Sequence, residues 1–194
     1  AILVFSPGGN TLTAARMAAA ALEERGFQVQ VLDVTAAKVI ADREKLLQYL
    51  AQEIKPHDLL FVGAPVYENR LDKFTLRLIQ QLPQPGNGPW GKLCAPFVTW
   101  GGVTSGISLH QAAKALRATG RKVVMAFKVE AFHVFSLEWP EPLNPGMPGD
   151  EALPLMTALA DRVSEIVGME ADSLPDITDT LTNTPHLSKL VGNF

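Results

Sequence analysis

A chain of 194 residues is short enough for one domain and long enough to bury a sizeable core. With 47 % apolar and 19 % charged residues it has the composition of a compact globular protein, and a formal net charge of −3 leaves no basic stripe for nucleic acid. The single cysteine, Cys94, excludes an internal disulfide and an all-cysteine metal cluster within the chain, and its neighbours Leu93 and Ala95 mark it as a buried structural thiol.

The first run, Ala1 to Phe5, is uninterrupted and apolar, as a strand buried on both faces should be. It lacks the positive flank and the length of a signal peptide, and no run approaches the ~18 apolar residues of a membrane span. A cytoplasmic location is the default expectation. No initiator Met stands first, so a short segment is expected before Ala1. Asn10 to Arg25 predicts a helix with Leu12, Ala15, Ala19 and Leu22 on one face, stopped at Gly26. Phe27 to Val34 alternates in the manner of a strand near a sheet edge.

Asp42 to Ile54 repeats the helical pattern, and Pro56 blocks its extension. Leu59 to Val62 reads as a third strand and Leu71 to Leu82 as a third helix, followed by a loop rich in Pro and Gly from Pro83 to Gly91. Leu93 to Trp100 predicts a fourth strand, Ser108 to Thr119 a helix ended by Gly120, and Val123 to Val129 a fifth strand. After a proline-rich insertion, Trp139 to Gly149, the last long helix spans Glu151 to Val167.

Strands alternating with helices imply a doubly wound α/β fold with a five-stranded parallel sheet, because parallel strands need right-handed crossovers. The polar tail from Met169 to Phe194, with Pro175 and Pro185, reads as a surface strap or a linker to a further domain, so the domain is expected to end at residue 168.

Ligands of such a sheet bind outside the carboxyl ends of the strands, where strand order reverses. Three loops leave that edge with unusual chemistry. Ser6-Pro7-Gly8-Gly9-Asn10-Thr11 offers small residues, side-chain donors and a helix start, which suits an anion. No Lys or Arg precedes Arg16, so a phosphate here would meet neutral donors. The loop lacks both the Gly-Lys-Ser/Thr ending of a nucleotide triphosphate loop and the Gly-x-Gly-x-x-Gly dinucleotide fingerprint, and alone it also reads as a plain capped turn.

Gly63 to Arg70 follows strand three, with Pro65, Val66, Glu68 and Asn69 around the flat, polar-tipped Tyr67. Thr99-Trp100-Gly101-Gly102 opens the third loop, which runs to Gly106. Each aromatic alone suits a packed rim. Together, a phosphate pocket beside two flat walls is what flavin mononucleotide (FMN) requires. His133 follows strand five with Phe132, Phe135 and Trp139; it reads as a structural hydrogen-bonding residue, with a donor role toward substrate or flavin left open. His57, His110 and His186 are too widely separated for a metal site.

From Ala1 to Val167 the sequence resembles the flavodoxin family, most closely the flavodoxin-like domains fused to or partnered with 4Fe-4S ferredoxins. Phe5 to Thr11, Gly63 to Tyr67 and Thr99 to Gly102 carry the resemblance. It implies a flavodoxin-like three-layer sandwich with strand order 2-1-3-4-5, and an electron-transfer protein binding FMN. Ser6, Gly9 and Thr11 fall in register with the family's phosphate motif; Gly8 stands where the family has Thr or Ser, and one hydroxyl contact is lost. Tyr67 and Trp100 become the stacking pair, with Thr99, Gly101 and Gly102 at the ring or ribityl chain. Gly101 or Gly102 also become candidates for a peptide flip toward the ring.

The resemblance further implies a redox partner protein carrying a ferredoxin-type cluster. The cysteine-rich motifs of the fused relatives are missing, so the chain is part of a larger protein or its partner is separate. A homodimer stays open. A phosphoacceptor receiver domain is excluded, since Ser6-Pro7 and Gly63-Ala64 stand where its acids belong. An NAD(P)H-dependent FMN or quinone reductase remains the enzyme alternative, and a flavin-free interaction domain, permitted by Gly8, the third.

Overall fold

Successive residues of the central strands point to opposite faces, and both faces are apolar. A computed structural model of the chain describes residues 1–35 and 42–182; the end of the expected tail, with Pro185 and His186, lies outside them. Strand β1 (Ile2–Val4) pairs in parallel with β2 (Val31–Asp33) on one side and β3 (Leu59–Tyr67) on the other. Beyond β3 lies β5 (Leu93–Trp100), followed by β6 (Lys122–Val123) and β7 (Phe127–Glu130). With β6 and β7 taken as one interrupted strand, the order is the expected 2-1-3-4-5.

Ile2, Val4, Phe61, Ala95 and Phe97 face one side, against helices α1 (Asn10–Glu23) and α5 (Leu153–Val167). Leu3, Leu60, Val62 and Val98 face the other, against α2 (Arg43–Glu53), α3 (Lys73–Gln81) and α4 (Ser108–Ala118). The result is three layers with a core on each face of the sheet. Ala14, Ala15 and Ala18 are almost wholly buried, so α1 presents a small-residue face that lets it lie close to the sheet.

Four boundaries differ from the sequence reading. Strand three does not end at Val62 but continues to Tyr67. Gly63 permits this, because a Cβ there would stand 2.1 Å from the ring of Phe97, which stacks on Phe127 at 4.9 Å. The chain then turns at Glu68 and Asn69, both with positive φ, and returns as the two-residue β4 (Arg70–Leu71), so α3 starts at Lys73 and not at Leu71. Phe27 to Gln30 is not regular strand, which shortens β2. The fifth strand is interrupted at Val124 to Ala126, opposite Ala95 and Pro96, and Pro96 has no N–H for a ladder bond.

After α5 the chain lies along the β6 edge. Ile177 N–H donates to Val123 C=O at 2.9 Å, and the Lys122 ammonium donates to the carbonyls of Ala171 (2.7 Å) and Leu174 (2.9 Å). Leu174 is buried and Arg117 forms a two-pronged pair with Asp179. Cys94 is fully buried, and burial pushes its thiol pKa well up. Among the described residues no helix is long and apolar enough to cross a membrane.

Candidate functional site

The connection from β1 to α1 is built around one glycine conformation. Gly9 caps α1 with φ +81°, a left-handed conformation in which a side chain would be strained, and open space surrounds it. Its N–H donates to Ser6 C=O at 3.1 Å, and the Ser6 hydroxyl accepts from the N–H of Leu12, the third helical residue, at 2.9 Å. A helix start has four N–H groups without an internal acceptor. Two are thus satisfied by Ser6, and those of Asn10 and Thr11 remain for a ligand. The first turn holds no carboxylate, so the positive end of the helix dipole is not cancelled. Ser6 itself is buried, its N–H held by Thr35 Oγ1 at 2.8 Å.

The side chains of this turn tie it to its neighbours. Thr11 and Thr99 share a hydrogen bond of 2.7 Å, which joins the first turn of α1 to the end of β5. Asn10 donates from Nδ2 to Phe132 C=O at 3.2 Å and so joins it to the segment after β7.

Pro65, Val66 and Tyr67 are the last residues of β3. Tyr67 is 38 % exposed at the mouth of the cleft; burial of the rest of its ring, and then the Asp72 carboxylate, raise its phenol pKa and keep the hydroxyl neutral. Trp100 ends β5, with the Lys128 ammonium 4.8 Å from its ring centroid. Gly101 has no room for a side chain, since a Cβ would stand 2.3 Å from the ring of His133. At Gly102 (φ +83°) a Cβ would meet Asn144 Nδ2 and Glu130 Oε1, which are themselves hydrogen-bonded at 3.0 Å.

These pieces converge on one cleft at the carboxyl edge of the sheet. Pro7, Gly8, Asn10 and Thr11 form its first wall; Pro65, Val66 and Tyr67 form the second; Thr99, Trp100 and Gly101 form the third. Ser6 and Gly9 stand behind the first wall as its support. Glu68, Asn69, Gly102 and Gly106 do not line the cleft. Asn69 and Gly106 meet each other instead: Asn69 C=O accepts from Ile107 N–H at 3.0 Å, and a Cβ on Gly106 would stand 2.0 Å from that oxygen.

Ala131 to Phe135 complete the lining as a fourth wall. Sequence reasoning noted His133 at this edge but did not place the segment in the site. Its position straight after the fifth strand was the available signal. The enclosed volume is about 80 Å3, well under the ~300–1,000 Å3 of pockets that engulf a small molecule. A ligand the size of FMN would therefore lie mostly in an open groove. A larger cavity of about 410 Å3 lies at the opposite edge, between Ala1, Phe27 to Gln30 and Lys55 to Leu59, away from the converging loops.

Residues 2–133, more than half of the chain, match the sequence profile of the NADPH-dependent FMN reductases. The chain belongs to that family. FMN is the cofactor that goes with this membership, and the fold agrees with it. A flavodoxin from the domain Archaea superposes with a TM-score of 0.53 at 18 % identity, covering 87 % of this chain and 97 % of the flavodoxin. Oxidised flavodoxin 2 from Bacillus cereus gives 0.56 at 17 %, covering 84 % of this chain and 96 % of the other. Rubredoxin oxygen:oxidoreductase from Desulfovibrio gigas gives 0.58 at 17 %, covering 86 % of this chain and 35 % of that larger protein. At these identities the likeness is one of fold. No curated protein matches the chain in sequence.

Proposed function

We propose that this family member holds FMN in the cleft at the carboxyl edge and passes electrons between it and an iron–sulfur partner protein. The observation that carries the reading is the convergence, on one cleft, of a helix start with two N–H groups left over and two flat aromatic side chains. The donor set suits the phosphate: the N–H groups of Asn10 and Thr11, the backbone turn at Gly9, and a first turn without acid. Tyr67 and Trp100 line the cleft and suit the ring. When bound, FMN supplies one- and two-electron transfer. The residues of the chain orient it, keep the phosphate from water and leave part of the groove open to a redox partner.

A second reading, reduction of FMN or a quinone by NADPH, is favoured by the family match over residues 2–133. The two separate in one experiment. Purified protein is loaded with FMN and gel-filtered, and flavin bands near ~450 nm are expected to remain with it. Bound flavin is then mixed anaerobically with NADPH or with a reduced 4Fe-4S ferredoxin. Bleaching by the ferredoxin and not by NADPH supports the carrier; fast bleaching by NADPH replaces it with the reductase. Folded protein that retains no flavin sinks both and leaves an interaction domain on a flavodoxin scaffold.

A further inference from the structure

The first turn of α1 turns its polar side chains on the protein itself. The Thr11 and Thr99 hydroxyls share a hydrogen bond of 2.7 Å, Asn10 Nδ2 donates to Phe132 C=O, and the Thr13 hydroxyl donates to Gly9 C=O at 3.2 Å. Thr11 is 1 % exposed and Thr99 4 %, and the bond between them is buried. Both residues nevertheless line the cleft, one on the wall of the helix start and the other on the wall that ends β5 with Trp100. The pair is therefore a tie between two walls and not a free donor on either of them.

The tie matters because Gly8 and Gly9, which lead into the helix, carry no side chain that could pack the turn against the sheet. β5, by contrast, is paired with β3 along its length, as far as Pro65 with Thr99. The contact from Thr11 to Thr99 sets the helix start at a fixed distance from that paired strand. A ligand with two recognised ends gains from both only when their sites stand at the spacing its own bonds impose. FMN is such a ligand, since its phosphate and its ring are joined through the ribityl chain.

We propose that Thr11 and Thr99 are a pair of positioning residues that hold the phosphate end of the cleft in register with the ring end, an inference that rests on the FMN reading above. The Thr11 hydroxyl then touches no ligand: it acts through Thr99, and the phosphate meets the backbone N–H groups of the turn. Removing either hydroxyl breaks the same tie, so the two side chains work as one unit.

The test measures dissociation constants by fluorescence titration for FMN and for riboflavin, which has the ring and ribityl chain without the phosphate. The proteins are wild type, Thr11→Val, Thr99→Val and the double variant. Each single change is expected to weaken FMN about fivefold and to leave riboflavin within about twofold. The double variant should bind FMN no more weakly than either single one, because a tie broken at one end is not broken again at the other. Thr99→Ser, which keeps a hydroxyl, should stay within about twofold of wild type. If Thr99→Val does not fold, because it strands the Thr11 hydroxyl, Thr99→Ala leaves space for a water there and carries the same expectation. Matching losses of FMN and riboflavin would make Thr99 a ring contact. A loss in Thr11→Val with none in Thr99→Val would make Thr11 a phosphate ligand. Losses that multiply in the double variant would make the two residues independent. Each of these results overturns the proposal, as does an FMN affinity unchanged throughout, and all of them leave the FMN reading standing. Wild type that binds neither flavin overturns both.

Discussion

Gly8 and Gly9 are adjacent and alike in composition, yet the backbone asks different things of them. Gly9 has φ +81° and admits no ordinary side chain without strain. Gly8 lies outside the left-handed region, and a Cβ there would sit 3.6 Å from Val134 Cγ2, an ordinary contact. Gly8→Thr is therefore accommodated. It returns a hydroxyl to a turn whose amides already face the cleft, and one hydrogen bond to a charged phosphate contributes about 1.5–3 kcal/mol at most. The expected outcome is FMN binding about tenfold tighter by fluorescence titration, with the unfolding temperature little changed. Gly9→Thr should weaken binding instead. Equal affinity in Gly8→Thr and wild type would place the phosphate elsewhere than on this turn. The turn was legible at residue level because its chemistry is local: glycines, a Ser and a helix start within six positions. The partnership of Asn69 with Gly106 was not, since nothing near either residue signals that one's carbonyl fills the space the other leaves.

Among the elements, β3 shows what sequence pattern alone misses. Gly63 and Pro65 both read as strand breakers, and the strand was expected to stop at Val62. Two distant features reverse that reading. β5 pairs alongside as far as Pro65 with Thr99, and the Phe97 ring occupies the place of a Gly63 side chain. Both are contacts across the sheet that no local window contains. The return turn at Glu68 and Asn69 carries φ of 50° and 62°, the paired left-handed conformation of a tight hairpin. Asn tolerates it; Glu does so at a cost of about 1 kcal/mol. Glu68→Asn is expected to stabilise the fold by roughly 0.5–1 kcal/mol, raising the unfolding temperature by about 1–4 °C for a chain of this size. Calorimetry checks it, and a lower temperature in the variant would show that Glu68 makes a compensating contact. By contrast α1, α4 and α5 were legible nearly to the residue, because helical periodicity over eleven to fifteen residues is a local signal.

At the scale of the molecule, the cleft and the tail occupy opposite ends of the sheet. Residues 169–182 meet β6 at Lys122 and Val123, and Lys122 pairs with Leu93 at the amino end of β5. The cleft lies past Thr99 at its carboxyl end. Stability and ligand affinity should therefore separate in a chain ended at Gly168. That chain exposes the surface under Leu174, which is 4 % exposed, and fully burying such a side chain contributes about 1.5–3 kcal/mol. It also strips the Lys122 ammonium of carbonyl acceptors at 2.7 and 2.9 Å, and hydrogen bonds to a charged group contribute about 1.5–3 kcal/mol. Part of the second loss is returned when water reaches the ammonium, so a net loss of about 3 kcal/mol is expected, or roughly 6–12 °C in unfolding temperature. FMN affinity should stay within about twofold, because no wall of the cleft is touched. Equal stability of the short chain and the full one would make residues 169–182 a linker lying on the surface. A loss of FMN binding in the folded short chain would mean that the β6 edge is coupled to the cleft through β5, the strand the two ends share.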